Sequence, residues 1–209
     1  MQIDFLQAQS LNQPQVSDIQ PGAVTITTSA HTDFWQRSYY GFRNDNAPGL
    51  LLPYKDNFSF TAKVKFNYQA RFDQCGILVY LDSDNWFKSS IEFEDATLSR
   101  LGSVVTNHGH SDWATTDIAT TDCTWYRLSR RGPDFLIETS SDGIAFKQMR
   151  IFHLHALGAT TAEMGRLDPP QPAEQSIPVG VYACSPNVSS FAAHFSECRF
   201  EPCLWLAHR

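Results

Sequence analysis

Successive side chains of an extended chain point to opposite faces, so a strict two-residue hydrophobic period specifies a half-buried β-strand. The stretch from Phe72 to Trp113 carries this period twice. Cys75, Ile77, Val79 and Leu81 form an apolar set, and Gln74, Gly76, Leu78 and Tyr80 fall opposite them. Phe87, Ile91 and Phe93 repeat the pattern, with Trp86, Lys88, Ser90, Glu92 and Glu94 on the other side. Between the runs stands Asp82-Ser83-Asp84-Asn85, a cluster of turn formers, so the pair predicts a β-hairpin. Its outer face carries an aromatic ring, a cation and carboxylates together.

The rest of the chain continues in the same period. Phe58, Phe60, Ala62, Val64, Phe66 and Tyr68 alternate with Ser59, Thr61, Lys63, Lys65 and Asn67, which predicts one long strand with a wet face. Further strands are expected at Val24-Thr28, Leu98-His108, Trp113-Ile118, Trp125-Arg131, Phe135-Ser140 and Ala145-Leu154, then in the two closing segments PVGVYACSP and SSFAAHFSECRF. Trp35, Tyr39, Tyr40, Phe42 and Tyr54 gather around turn formers early in the chain, where they are either core or the wall of a pocket. Many short antiparallel strands, each with one apolar face, stack into two sheets, and the expected fold is an all-β jelly-roll sandwich forming one domain over residues 1–209. A Pro-rich segment, Gly158-Ile177, interrupts the series and is expected as a mobile insertion or a lid over the binding face.

Composition narrows the function. The formal net charge of −6 opposes a non-specific nucleic-acid surface, which needs clustered Lys and Arg. The first residues lack a basic leader and a sustained apolar run, so neither a signal peptide nor a membrane span is expected, and the default location is the cytoplasm. Five cysteines, an odd number without a CxxC pair, fit a reducing compartment with mostly buried thiols. Cys123 follows Asp122 in an expected loop and is the first place to look for any exposed thiol.

The ordered series FDQCGILVYLDSDNWFKSSIEFED, LGSVVTNHGHSDW and VGVYACSP resembles the uncharacterised domain family that includes the yeast regulation-of-enolase protein. The resemblance runs from about Phe34 to Phe200. That family is similar to the concanavalin A-like lectins and glucanases, which share a curved jelly roll. The resemblance therefore implies a concanavalin A-like sandwich of two antiparallel sheets and, by analogy of fold, a carbohydrate or sugar derivative as ligand. No cofactor is expected.

On this reading the polar, concave sheet face is the site. Trp86 and Tyr80 would offer stacking surfaces, Gln74, Lys88 and Glu92 would bond hydroxyls, and Trp113 would add to the pocket wall. Three alternatives stay open. A glycan hydrolase would use Glu92 as acid or base, with Glu94 two residues along as the second carboxylate, although IEFED departs from the glucanase pattern E-x-D-x-E. A cupin-like metal protein would use His108 and His110, which follow Gly102 at the spacing that opens the cupin motif, although the Glu that should follow is absent. His153 and His155 form a second alternating pair, and convergence of the two pairs would favour metal. A partner-binding regulatory module is the third. Asp82-Asn85 resembles a short calcium loop but lacks the Gly and distal Glu of an EF-hand.

Overall fold

The computed structural model describes residues 1–206. Its strands are numbered in chain order and form two seven-stranded antiparallel sheets. The first sheet runs, in spatial order, β1 (Gln9–Leu11), β6 (Gly49–Tyr54), β15 (Ile177–Cys184), β8 (Gln74–Asp82), β9 (Asn85–Phe93), β10 (Leu98–Asn107) and β11 (His110–Ala119). The second runs β14 (Lys147–His153), β13 (Asp134–Ser140), β12 (Cys123–Arg131), β7 (Ser59–Phe66), β16 (Ala192–Glu201), β3 (Ala23–Thr27) and β2 (Gln15–Gln20). A short hairpin of β4 (Phe34–Gln36) and β5 (Arg43–Asp45) stands apart from both.

The alternation places the core. Cys75, Ile77, Val79, Phe87 and Ile91 from the first sheet meet Phe58, Phe60, Ala62, Val64, Phe66, Phe195 and Phe200 from the second in one buried cluster. This is a β-sandwich of the jelly-roll type. Its expected hairpin is present, with β8 and β9 paired antiparallel and Tyr80 opposite Trp86. The wet face expected for β7 is wet only at one end: Ser59 and Thr61 are buried, while Lys65 is exposed. Ser59 is satisfied there by the Ser129 hydroxyl at 2.6 Å.

Two expectations change. Cys123 opens strand β12 opposite Lys65 and does not lie in a loop; with Cys203 it is one of the two cysteines that are half-buried, the other three being buried. The Pro-rich segment holds a short helix, α1 (Ala162–Arg166), and packs against the second sheet. Arg130, itself buried, donates to the carbonyls of Gln175, Gly132 and Asp56, and Arg131 donates to that of Leu167. No residue of the segment lines the cavity on the first sheet described below, so it is not a lid over that face. Among the described residues no helix is long and apolar enough to cross a membrane.

Candidate functional site

The face of the first sheet that points away from the core is divided in two by the β4–β5 hairpin. Over one half the hairpin closes a second apolar cluster, in which Phe34, Ala47, Leu51, Leu78, Trp86, Val104, Tyr182 and Cys184 are buried. The hairpin is held in place by polar contacts at both ends. Tyr80 donates its hydroxyl to Asp45 at 2.9 Å, and Gln36 donates its backbone N–H to the Ser111 hydroxyl at 2.9 Å. Arg37 donates to the Gly109 carbonyl at 2.7 Å and, with Arg43, pairs with Asp84 at 3.4 Å. Gly109 has φ +71°, and a Cβ there would run into the Arg37 guanidinium, so both the tight β10–β11 turn and the docking of the hairpin need glycine.

Over the other half the sheet stays open beneath a cavity of about 320 Å³. Its floor is Gln74, Lys88, Ser90, Glu92, Arg100 and Gly102 from β8, β9 and β10, and its walls include Trp35, Tyr40, Phe42, Phe72 and Trp113. Trp113 lies across β10 at Gly102, where a Cβ would stand only 3.0 Å from the indole nitrogen. A side chain at position 102 would lift the ring off the sheet.

The floor has open hydrogen-bonding capacity. Lys88 is 5% exposed and places Nζ 3.0 Å from Asp33 Oδ1, which uses one of its three N–H donors. Asp33 Oδ1 also accepts from the Phe34 backbone N–H at 2.7 Å, while its Oδ2 has no donor among the described residues. Glu92 Oε2 accepts from Gln74 at 2.9 Å, and its Oε1 has no donor among the described residues. Gln74 itself is saturated: it donates to Glu92 and to the Phe72 carbonyl and accepts from the Tyr182 and Ser90 hydroxyls. Gln74 therefore orients Glu92 and has nothing left for a ligand.

Burial and neighbouring charges set the protonation states. Burial pushes the Glu92 carboxyl up to about 7, against the pull of Lys88, and the negative charges of Asp33 and Glu94 push the same way. For Lys88, burial opposes the charged form, but Asp33, Cys184 and Glu92 outweigh it and hold the ammonium above its usual range. The floor thus carries a fixed cation and a carboxyl group that titrates near neutrality, with Asp33 reaching in from the covering chain.

Of the residues expected to bind ligand, the cavity brings together Gln74, Lys88, Glu92 and Trp113. Trp86 is fully buried in the cluster under the hairpin, 5.5 Å from the Phe34 ring, and presents no surface for stacking. The alternation put it on the face of Lys88 and Glu92 correctly, but a distant segment covers it. Tyr80 does not line the cavity, and its hydroxyl is taken by Asp45. Glu94 is held by Arg71 at 2.6 Å and Arg100 at 3.2 Å and is not a free second carboxylate. Asp33 was not foreseen; its only signal was its place next to the aromatic-rich segment. Asp82 caps its own turn through the Asp84 N–H, and Asp84 holds the two arginines, so the Asp82-Asn85 loop is a turn. His108 sits at φ +50° in the β10–β11 turn and His110 Nδ1 contacts the His108 carbonyl at 3.2 Å. His108 packs on His155 and His155 on His153, yet no three His, Cys, Asp or Glu among the described residues are grouped to hold a metal.

A family model described as a protein of unknown function, DUF1349, matches residues 11–203. The chain belongs to the DUF1349 family. Regulation of enolase protein 1 of Saccharomyces cerevisiae is 32% identical to this DUF1349 chain over 190 residues, spanning 90% of it and 85% of the yeast protein. A functionally unknown S. cerevisiae protein of known crystal structure is similar at a TM-score of 0.81 and 28% identity, covering 97% of this chain and all of that one. The GH43 protein BlXynB of Bacillus licheniformis is similar at 0.67 and 18% identity, over 98% of this chain but 39% of that one. The carbohydrate-binding module CBM66 of Bacillus subtilis is similar at 0.51 and 12% identity, over 93% and 95% of the two chains. The last two likenesses concern the fold.

Proposed function

We propose that this DUF1349 chain is a cytoplasmic carbohydrate-binding protein and that the ligand sits in the cavity on the first sheet. The observation that carries this is the cavity's make-up. Lys88, Asp33 and Glu92 interleave open donors and acceptors within one cavity, and aromatic rings wall it. A sugar presents hydroxyls that both donate and accept, around an apolar C–H face, and a rigid mixture of this kind is what orients such a ligand. The presence of a carbohydrate-binding module and a GH43 protein among the structural neighbours supports the reading, as five free cysteines support a reducing location. Lys88, Glu92 and Trp113 make direct contact, while Gln74 positions Glu92.

A glycan array followed by titration calorimetry tests this. Binding is expected, and it should disappear in Lys88→Met while the fold persists. No binding across a broad array of neutral and acidic glycans overturns the reading.

Glu92 favours a second reading. A carboxyl group protonated near neutral pH is suited to donate a proton to a glycosidic oxygen. With Glu94 held by two arginines, Asp33 is the remaining carboxyl group that lines the cavity. Turnover with a bell-shaped pH profile that is lost in Glu92→Gln would establish hydrolysis.

A further inference from the structure

The β4–β5 turn displays aromatic rings that the fold does not need. Tyr39 is 96% exposed, Tyr40 55% and Phe42 45%. Tyr40 and Phe42 line the cavity, and Tyr39 does not. The rings gather around Tyr40: Trp35 meets it edge-on at 5.6 Å, Phe42 stacks on it at 5.2 Å, and Tyr39 meets it edge-on at 4.9 Å, so that Trp35, Tyr40 and Tyr39 form a short row with Phe42 beside it. The row starts within the cavity and continues outside it.

The backbone that presents this row is strained and fixed. Arg37 and Tyr39, neither of them glycine, have φ values of +57° and +62°. Such conformations carry a cost that the surrounding contacts must offset. The turn is held by Arg37 on the Gly109 carbonyl and Asp84, by Arg43 on Gln36 and Asp84, and by the Trp35 indole N–H on the Ser38 carbonyl at 3.0 Å. None of these bonds uses the Tyr39 ring. A backbone held in this way presents the rings in one direction, and less freedom is then lost when a ligand covers them.

We infer that the ligand is an oligosaccharide, with one sugar unit in the cavity and the next on a second subsite formed by Tyr39 and Tyr40. This rests on the carbohydrate reading of the cavity and adds to it the size of the ligand and a subsite outside it. Each ring-to-ring step in the row is on the scale of one sugar ring. The row leads away from the polar floor, so the unit outside the cavity is gripped by stacking, with few hydrogen bonds, and its identity matters less than that of the unit inside.

The test is a chain-length series measured by titration calorimetry. The probes are glucose and xylose, and oligomers of two to four units: β-1,4- and β-1,3-linked gluco-oligosaccharides, malto-oligosaccharides and xylo-oligosaccharides. In the series that binds, affinity should rise at least tenfold from one unit to three. Tyr39→Ala should remove that gain and leave the affinity for the single unit unchanged, and Tyr39→Phe should restore it. Because Tyr39 is outside every packed cluster, the alanine variant keeps the fold. Affinity independent of length, or equal in wild type and Tyr39→Ala for every length, overturns the second subsite and leaves the cavity reading intact. Silence across all these probes together with silence on the broad glycan array overturns both, and co-purification of a protein on the aromatic row in that case would assign it to a partner.

Discussion

Lys88 Nζ lies 3.0 Å from Asp33 Oδ1 and joins the floor of the first sheet to the chain that enters the covering hairpin. Lys88 sits at the boundary between the apolar cluster under the hairpin and the open cavity. Its ammonium is almost fully removed from water, and Asp33 is largely so. Removing one partner of such a pair leaves the other charge uncompensated, which costs more than the pair contributes.

Lys88→Met should therefore destabilise the protein by about 2–4 kcal/mol, and the double variant Lys88→Met/Asp33→Asn by less than the sum of the single changes. Urea denaturation of the four proteins in the cycle measures this. Additive losses would show that the two side chains do not act as a pair.

Glu92 predicts a pH dependence with a definite sign. Its carboxyl titrates near 7 in the folded chain and at its ordinary lower value when unfolded, so the folded state holds the extra proton between about pH 4.5 and 7. Its contribution to stability is present below the unfolded value and is lost as pH rises through 7. Glu92→Gln, which keeps the acceptor for Gln74, should match wild type in melting temperature near pH 4.5 and exceed it at pH 8. A difference that stays constant across this range would contradict the buried, protonated carboxyl.

The two tryptophans near the site should separate stability from binding. Trp86→Ala opens a void in the cluster under the hairpin and should cost about 3–5 kcal/mol. Trp113→Ala removes a ring that is 41% exposed on the edge strand, so its stability should change by less than about 1 kcal/mol while sugar binding weakens at least tenfold. Denaturation and calorimetry on the same preparations decide between these roles.

Gly109→Ala should destabilise by about 1 kcal/mol or more, through its left-handed backbone and the collision with Arg37. Limited proteolysis between Arg37 and Arg43 should accelerate in this variant, because the guanidinium that anchors the turn is displaced. Unchanged cleavage would show that the anchor resides elsewhere.

Much of this fold is written in short-range alternation. A period of two told Ile77 from Leu78 and Phe87 from Lys88, and it placed every strand of the central hairpin because side-chain direction is a local property of extended backbone. What alternation cannot report is what covers the outward face. Trp86, Lys88 and Glu92 share one face and one strand, yet residues 33–47 bury the first and leave the other two beside a cavity. Asp33 was invisible for the same reason: its partner is 55 residues away. The aromatic segment that periodicity leaves open between core and pocket is both, with Tyr54 packed against the core and Trp35, Tyr40 and Phe42 lining the opening. The Gly158-Ile177 segment was read as a break, but its docking on Arg130 and Arg131 came from contacts that no local pattern encodes.

The most direct measurement is a crystal structure of the chain grown with the glycan that binds it most tightly. The account predicts a sugar ring against Trp113, with hydroxyls bonded to Lys88 Nζ and to the open oxygens of Asp33 and Glu92. A sugar bound elsewhere on the sandwich, with this cavity holding only water, would contradict it.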